Sequence, residues 1–170
     1  MNFTVELLAR HHDRSGFASG SQVLDDYITK LASQDMRRRV AQVFVALPQN
    51  SYRVAGFYTL SAGSVEHASL PPELVRRLPR YPVPVARIGR LAVDLSWAGQ
   101  GLGTLLLVDA FRRVLRAGNA LAIYAVIVDA KDERAQRFYE RFGFIPLPKT
   151  RRCLFYPLSD AIRKLALGTS

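Results

Sequence analysis

The sequence predicts a single-domain α/β (α+β) fold, residues 1–170, in which a mixed central β-sheet is flanked by helices. Apolar runs of strand length alternate with amphipathic helical stretches in the order β-α-β-β-β-α-β-α-β. A strand–helix–strand unit over residues 85–130 needs a right-handed crossover, which sets two strands parallel within the sheet. The length of 170 residues and the 49% apolar content suit one domain with a substantial core.

Each element has a local reason. "FTVELL" (3–8) is a short first strand, and "HHDRSGFASG" (11–20) is a loop rich in turn residues. Residues 21–39 form a helix: Ser21 is its N-cap, Val23, Leu24, Tyr27, Ile28 and Leu31 give helical spacing, and Arg37 to Arg39 suit its C-terminal dipole. Residues 40–47 and 53–65 are strands joined around "PQNS" in a hairpin-like connection. Residues 66–84 hold five prolines and a short basic helical piece, "PPELVRRL", a structured excursion of the kind that often carries function. "VARIGRLAVD" (85–94) is mostly apolar and so a central strand. A leucine-rich helix over 101–118 follows, then a buried strand over 120–130. An amphipathic helix over 132–144 is ended by Gly143; a last strand over 151–158 and a terminal helix over 159–167 complete the chain.

The charge balance is the first functional clue. The chain carries 24 Lys+Arg against 14 Asp+Glu, and arginine far outnumbers lysine. Arginine's planar fork suits phosphate. The excess lies beyond residue 50, in clusters at Arg76/Arg77/Arg80, Arg87/Arg90, Arg112/Arg113/Arg116 and Lys149/Arg151/Arg152. Such a surface either keeps the protein soluble or meets a polyanion, and charge alone leaves both open. The single cysteine, Cys153, excludes an intramolecular disulfide. The N-terminal stretch has no basic segment leading into a long apolar one, and no later run is long enough to span a bilayer. A cytoplasmic protein with no membrane partner is expected.

"RLAVDLSWAGQGLGTLLL" (90–107) holds the clearest chemical signal. Gly99, Gly101 and Gly103 sit at alternate positions between a strand and a helix. The first amides of a helix have no intrahelical partner and carry the positive end of its dipole. Glycines let that backbone approach a ligand closely, so the run reads as a cradle for an anion, best suited to phosphate. It is not a Walker A loop, which needs Lys-Ser or Lys-Thr after the last glycine. A dinucleotide fingerprint would need glycine or alanine at Leu106. A glycine-rich turn without a ligand remains the bland reading.

These residues, with "AQRFYERFGF" after the next strand, resemble the GNAT family of acetyl-CoA-dependent N-acetyltransferases. "HDRSGFASGSQVLDDYI", "GFYTLSAGSV", "PVPVARIGRLAVD" and "RRCLFYPL" resemble more narrowly the acetyltransferase toxins of toxin–antitoxin pairs, which acetylate the amino acid on charged tRNA. The resemblance implies a GNAT fold whose splayed strand pair binds acetyl-CoA. Gly101 and Gly103 fill the glycine positions of the pyrophosphate pattern Arg/Gln-x-x-Gly-x-Gly/Ala, while Ala98 stands where Arg or Gln is usual. The implied cofactor contacts are Ala98, Gly99, Gln100, Gly101, Leu102, Gly103 and Thr104 at the pyrophosphate. Leu91, Ala92 and Val93 lie along the pantetheine arm, Asp129 on the opposite lip, and Phe138 beside the acid. Tyr139 is the implied general acid that protonates the departing thiolate, although Ala135, Phe138, Tyr139 and Phe142 also form an ordinary core stripe. A phenol titrates near about 10 and so holds its proton at neutral pH.

No general base stands out: His11, His12 and His67 are the only histidines, and all three read as structural or exposed. A base is dispensable for an α-amine, which titrates near about 7.7–8.0, whereas a lysine near about 10.4 would need help. Arg76, Arg77, Arg80, Arg87, Arg90, Arg151 and Arg152 are the candidate contacts to acceptor-stem phosphates, and Arg90 has an alternative place inside the fold. No metal is expected. The resemblance implies aminoacyl-tRNA as substrate, a ribbon–helix–helix antitoxin and a homodimer. Two other readings stay open: a GNAT enzyme for a protein N-terminus or small-molecule amine, and a non-catalytic module that binds coenzyme A or RNA.

Overall fold

The computed structural model describes residues 2–150 and 152–167. Seven strands form one mixed sheet. They are β1 (Phe3–Leu7), β2 (Gln42–Pro48), β3 (Gly56–Val65), β4 (Val83–Val93), β5 (Ala125–Asp129), β6 (Ile145–Pro146) and β7 (Cys153–Pro157), in the order β1-β2-β3-β4-β5-β7-β6. The helices are α1 (Gln22–Asp26), α2 (Ala32–Arg37), α3 (Pro72–Arg77), α4 (Leu102–Ala117), α5 (Glu133–Phe142) and α6 (Leu158–Leu167). No helix among the described residues is long and apolar enough to cross a membrane. The chain divides into two compact units, one of Met1–Ser61 and Gly89–Arg112, the other of Ala62–Ile88 and Arg113–Ser170.

In the first unit, β2 pairs antiparallel with β1, from Phe3↔Pro48 to Leu7↔Phe44, and with β3, from Gln42↔Leu60 to Ala46↔Gly56. The "PQNS" connection is a turn as expected: the Ser51 N–H donates to the Pro48 carbonyl and Asn50 takes a left-handed φ of 58°. Val43, Val45 and Leu47 from β2, Phe57 from β3 and Ala92 from β4 form a core closed by Phe17, Leu24, Tyr27, Ile28 and Ala32. The helix expected over 21–39 is interrupted. A π turn over Tyr27–Leu31 separates α1 from α2, with the Ala32 N–H reaching back to the Tyr27 carbonyl. Arg14 explains how the widened turn is held: its Nη1 donates to the Ile28 carbonyl at 3.0 Å and to Ser33 Oγ at 3.1 Å. The helix ends at Arg37, and Arg39 lies beyond it with φ 59°.

In the second unit, β4 runs parallel to β5, from Val85↔Ala125 to Ile88↔Val128. These are the parallel strands expected from the crossover. β5 pairs antiparallel with β7, from Ala125↔Pro157 to Asp129↔Cys153. The strand expected over 120–130 is shorter because helical hydrogen bonding runs on past α4: the Gly118 N–H donates to Val114 and the Leu121 N–H to Ala117. β6 is not foreseen from the sequence; at two residues, with Pro146 on the sheet edge, it carries no periodicity. Val65, Leu70, Val83, Val85, Ala125, Ile127, Leu147 and Phe155 form this unit's core, and Leu74, Val75 and Leu78 pack against it.

Candidate active site

In the first unit the end of β4 alternates: Ala92 is buried, Leu91 and Val93 half-buried. Asp94 then closes the strand. It is 3% exposed, with Oδ2 accepting the Ala18 N–H at 3.0 Å and Oδ1 the Ser96 N–H at 2.9 Å. The Leu95 N–H returns to the Ala18 carbonyl at 2.9 Å. Burial works against the Asp94 charge, but these backbone donors and the Arg53 charge hold its carboxyl below the usual range. Asp94 thereby anchors the start of the glycine loop to the segment before α1.

Ala98, Gly99, Gln100 and Gly101 are exposed. Gly99 has φ 75° and Gly101 φ 83°, left-handed values that favour glycine, and among the described residues no atom beyond the adjoining chain lies within 4 Å of where a Cβ on either would point. The backbone there faces open space. The first intrahelical bond at this end runs from the Leu105 N–H to the Gly101 carbonyl at 3.1 Å. The amides of Leu102, Gly103 and Thr104 therefore precede the helical ladder and carry the positive end of the dipole. Leu102, Leu106, Leu107, Ala110, Phe111 and Val114 form the buried stripe of α4, which fixes where its N-terminus lies. Gly56 on β3 contributes to that placement: a Cβ there would lie 2.9 Å from Leu106 Cδ1 and 3.1 Å from the Ala92 carbonyl oxygen. An open glycine turn leading into free amides fits a pyrophosphate.

In the second unit, α5 carries Tyr139. Asp132 caps the helix, its Oδ1 accepting the Ala135 N–H at 2.8 Å, and Gly143 ends it with φ 122°. The Gly143 and Phe144 N–H groups both donate to the Tyr139 carbonyl. The Tyr139 ring sits edge-on to Phe138, at 5.3 Å between centroids, and to Phe144, at 5.5 Å. The residue is 5% exposed, so the stripe seen in the sequence does bury the ring. Its hydroxyl has no hydrogen-bond partner among the described residues, yet no side-chain oxygen there is both sealed from solvent and unpartnered. The ring is in the core and the hydroxyl is available. Burial raises the phenol above its ordinary range, and the Asp129 charge raises it further. Phe138 is half-buried.

Asp129 ends β5 and is not a free carboxylate: Arg87 Nη1 donates to its Oδ2 at 2.5 Å. Burial works against the Arg87 charge, and the Asp129 partner more than restores it. Cys153 lies opposite Asp129 in the ladder, its thiol pushed up by burial and by the Asp129 charge.

The candidate arginines thus differ. Arg87 is committed to Asp129. The Arg90 guanidinium lies 3.7 Å over the Tyr27 ring, its alternative place inside the fold. Tyr27 donates to Asp35 Oδ2 at 3.0 Å, and burial raises its phenol to about 12. Arg152 donates to the Lys131 carbonyl at 2.8 Å. Arg76 and Arg77 on α3, and Arg80 after it, are exposed. Arg151 lies outside the described residues. Asp94, Gly56 and Arg14 do not stand out in the sequence; the "RLAVD" run holds the one available signal, an acid placed directly before the glycine loop.

One side-chain cluster among the described residues has metal-ligating types at ligand separation: Glu6, His11 and His12. His12 Nδ1 accepts the Ala9 N–H at 2.9 Å, so its Nε2 carries the proton and donates to Glu6 Oε1 at 2.6 Å. Both ring nitrogens of His12 are engaged in holding the loop.

The acetyltransferase (GNAT) family model matches residues 17–144. The chain is 38% identical to a tRNA-acetylating toxin of Mycobacterium tuberculosis over 149 residues, 88% of each chain. It is similar to the structure of AtaT complexed with acetyl-methionyl-tRNAfMet, with TM-score 0.89 and 30% identity, covering 96% of this chain and 99% of that one. It is also similar to a tyrosine-to-phenylalanine mutant of the AtaT toxin bound to the C-terminus of the antitoxin AtaR and acetyl-CoA. That match has TM-score 0.81 and 28% identity and covers 96% and 97% of the two chains.

Proposed function

The chain belongs to the GNAT acetyltransferase family, and from that premise we propose how its residues transfer acetyl to the α-amine of aminoacyl-tRNA. It is an N-acetyltransferase with acetyl-CoA as donor and aminoacyl-tRNA as acceptor. An acetylated α-amine no longer attacks a peptidyl ester, so the product is withdrawn from peptide-bond formation and the protein acts as a toxin. The match to the M. tuberculosis toxin, sustained over most of both chains, is the observation that carries this reading.

Acetyl-CoA supplies an acetyl group activated as a thioester. The amides of Leu102, Gly103 and Thr104, reached past Gly99 and Gly101, would hold its pyrophosphate. Ala98 supplies no side-chain donor there, so the hold rests on backbone. The edge of β4 at Leu91–Val93, past the end of its pairing with β5 at Ile88, would carry the pantetheine arm as an added strand and polarise the thioester carbonyl through its N–H groups. The Tyr139 hydroxyl donates a proton to the departing thiolate. Its raised titration suits it to remain protonated until that charge develops. No base is assigned: a free α-amine titrates near about 7.7–8.0, esterification of the neighbouring carboxyl lowers that further, and much of an aminoacyl-tRNA amine is then neutral at physiological pH. Residues 1–170 act as one domain, in the cytoplasm where charged tRNA is found. An antitoxin partner is supported by the AtaR segment bound to AtaT; its ribbon–helix–helix class and a homodimer complete the proposal.

The test is incubation of the purified protein with labelled acetyl-CoA and total charged tRNA, with uncharged tRNA as control. Label on charged tRNA alone, lost with Tyr139→Phe, is the expected outcome. Tight acetyl-CoA binding without label on RNA would overturn the acceptor.

A further inference from the structure

The seven arginines considered for phosphate divide by what the structure does with them. Arg87 is neutralised by Asp129, Arg90 lies on an aromatic ring and Arg152 holds a backbone carbonyl; Arg151 is outside the described residues. Arg76, Arg77 and Arg80 remain, all exposed and all within one connection between β3 and β4. None has a carboxylate within ion-pair distance among the described residues. Glu66 and Glu73 share the segment without pairing with them, so three arginines free of ion pairs outnumber its acids, and their planar forks suit phosphate.

A segment of this kind needs holding. α3 has six residues, too few to be stable alone. Leu74, Val75 and Leu78 pack on the core below it, which fixes one side. The last carbonyls of a helix lack intrahelical partners. Here His67 supplies them: its Nε2 lies 2.8 Å from the Val75 carbonyl and 3.1 Å from the Leu78 carbonyl. Both oxygens only accept, so Nε2 carries the proton. The two carbonyls bracket Arg76 and Arg77 and stand just before Arg80. One side chain, eight to eleven positions back, thus ties down the backbone on both sides of the arginines.

Resting on the reading that charged tRNA is the acceptor, we propose that residues 66–80 grip the acceptor-stem phosphates and that His67 is the positioning residue of this element. The grip is on backbone phosphate, so it adds affinity for tRNA of any sequence and none for acetyl-CoA.

Steady-state kinetics on the full chain, varying acetyl-CoA, charged tRNA and salt, test this. His67→Ala raises KM for charged tRNA about three- to tenfold, the range expected for the removal of these hydrogen bonds, with kcat and the acetyl-CoA KM unchanged. His67→Gln, whose amide nitrogen reaches as far as the imidazole Nε2, restores the wild-type KM, whereas the shorter His67→Asn does not. The combined Arg76→Ala, Arg77→Ala and Arg80→Ala variant lowers the salt slope of tRNA binding by about one for each phosphate no longer neutralised, and His67→Ala has no further effect in that background. An unchanged tRNA KM in His67→Ala, an equal rise in the acetyl-CoA KM, or a full additional effect on the triple variant would each overturn the proposal. Where His67→Ala fails to fold, equal KM values for the Gln and Asn variants overturn it. A wild-type enzyme that labels no charged tRNA removes the underlying reading before any variant is compared.

Discussion

Gly56 and Leu106 meet where β3 passes beneath α4: a methyl group on Gly56 would lie 2.9 Å from Leu106 Cδ1. The Ala92 carbonyl oxygen, 3.1 Å from the same point, is backbone and does not yield as a side chain does. Gly56→Ala therefore pushes α4 off β3 or shifts its register. Overpacking of this kind costs about 1–3 kcal/mol. The expected signature is a lowered Tm together with a raised acetyl-CoA KM, since the displaced helix carries the amides proposed for pyrophosphate. Thermal melts with and without acetyl-CoA would show a smaller ligand-induced rise in Tm than in the wild type.

Asp94 gives a second prediction. Asp94→Asn keeps the volume but turns one acceptor oxygen into a donor facing a backbone N–H, at Ala18 or at Ser96. The loop start loses its anchor, and the acetyl-CoA KM rises while the charged-tRNA KM does not. The pH dependence has a definite sign. The folded-state carboxyl titrates below its usual value, so its stabilisation is full above the unfolded carboxylate range and is lost as pH falls through the folded value. Acid unfolding followed by circular dichroism should show a shallower acid limb in Asp94→Asn than in the wild type.

Tyr139→Phe removes the proposed acid without disturbing the packing of the ring. We expect kcat to fall about 10²- to 10⁴-fold, the usual contribution of general acid catalysis, with acetyl-CoA binding retained by calorimetry. Retained turnover would sink the assignment.

Burial is the larger cause of the raised Tyr139 phenol and the Asp129 charge the smaller. The Tyr139 phenolate, followed by ultraviolet difference titration of the wild type against Tyr139→Phe, should therefore form above the ordinary phenol value of about 10. Asp129→Asn should move that titration down without bringing it back to the unperturbed value. Arg87→Met should move it up, because the Asp129 charge then lacks its counter-ion. Titrations that coincide in all three backgrounds would detach Asp129 from Tyr139.

What the sequence can reveal depends on range. Gly99 and Gly101 are legible because they belong to a local pattern, a strand feeding a helix through glycines; the aromatic stripe at helical spacing shows Tyr139 only as core, and its role as acid comes from the family resemblance. Asp94 holds Ala18, 76 positions away, and no periodicity links two such residues. The arginines are legible as a class and illegible one by one. Nothing in "VARIGR" marks Arg87 as the partner of an acid 42 positions later, while Arg76 and Arg77 have no ion-pair partner among the described residues. The π turn is hidden for the same reason: the Arg14 that holds it lies outside the helix whose periodicity it interrupts.

Gly99 and Gly101 also carry a consequence for handedness. An L-residue at either position is penalised by its backbone angle and not by crowding, because the space beside each α-carbon is empty. A mirror-image residue adopts positive φ without that penalty. D-alanine introduced at position 99 or 101 by chemical ligation should therefore preserve acetyl-CoA binding that L-alanine weakens. It should also raise Tm slightly, because the unfolded chain has fewer conformations to lose.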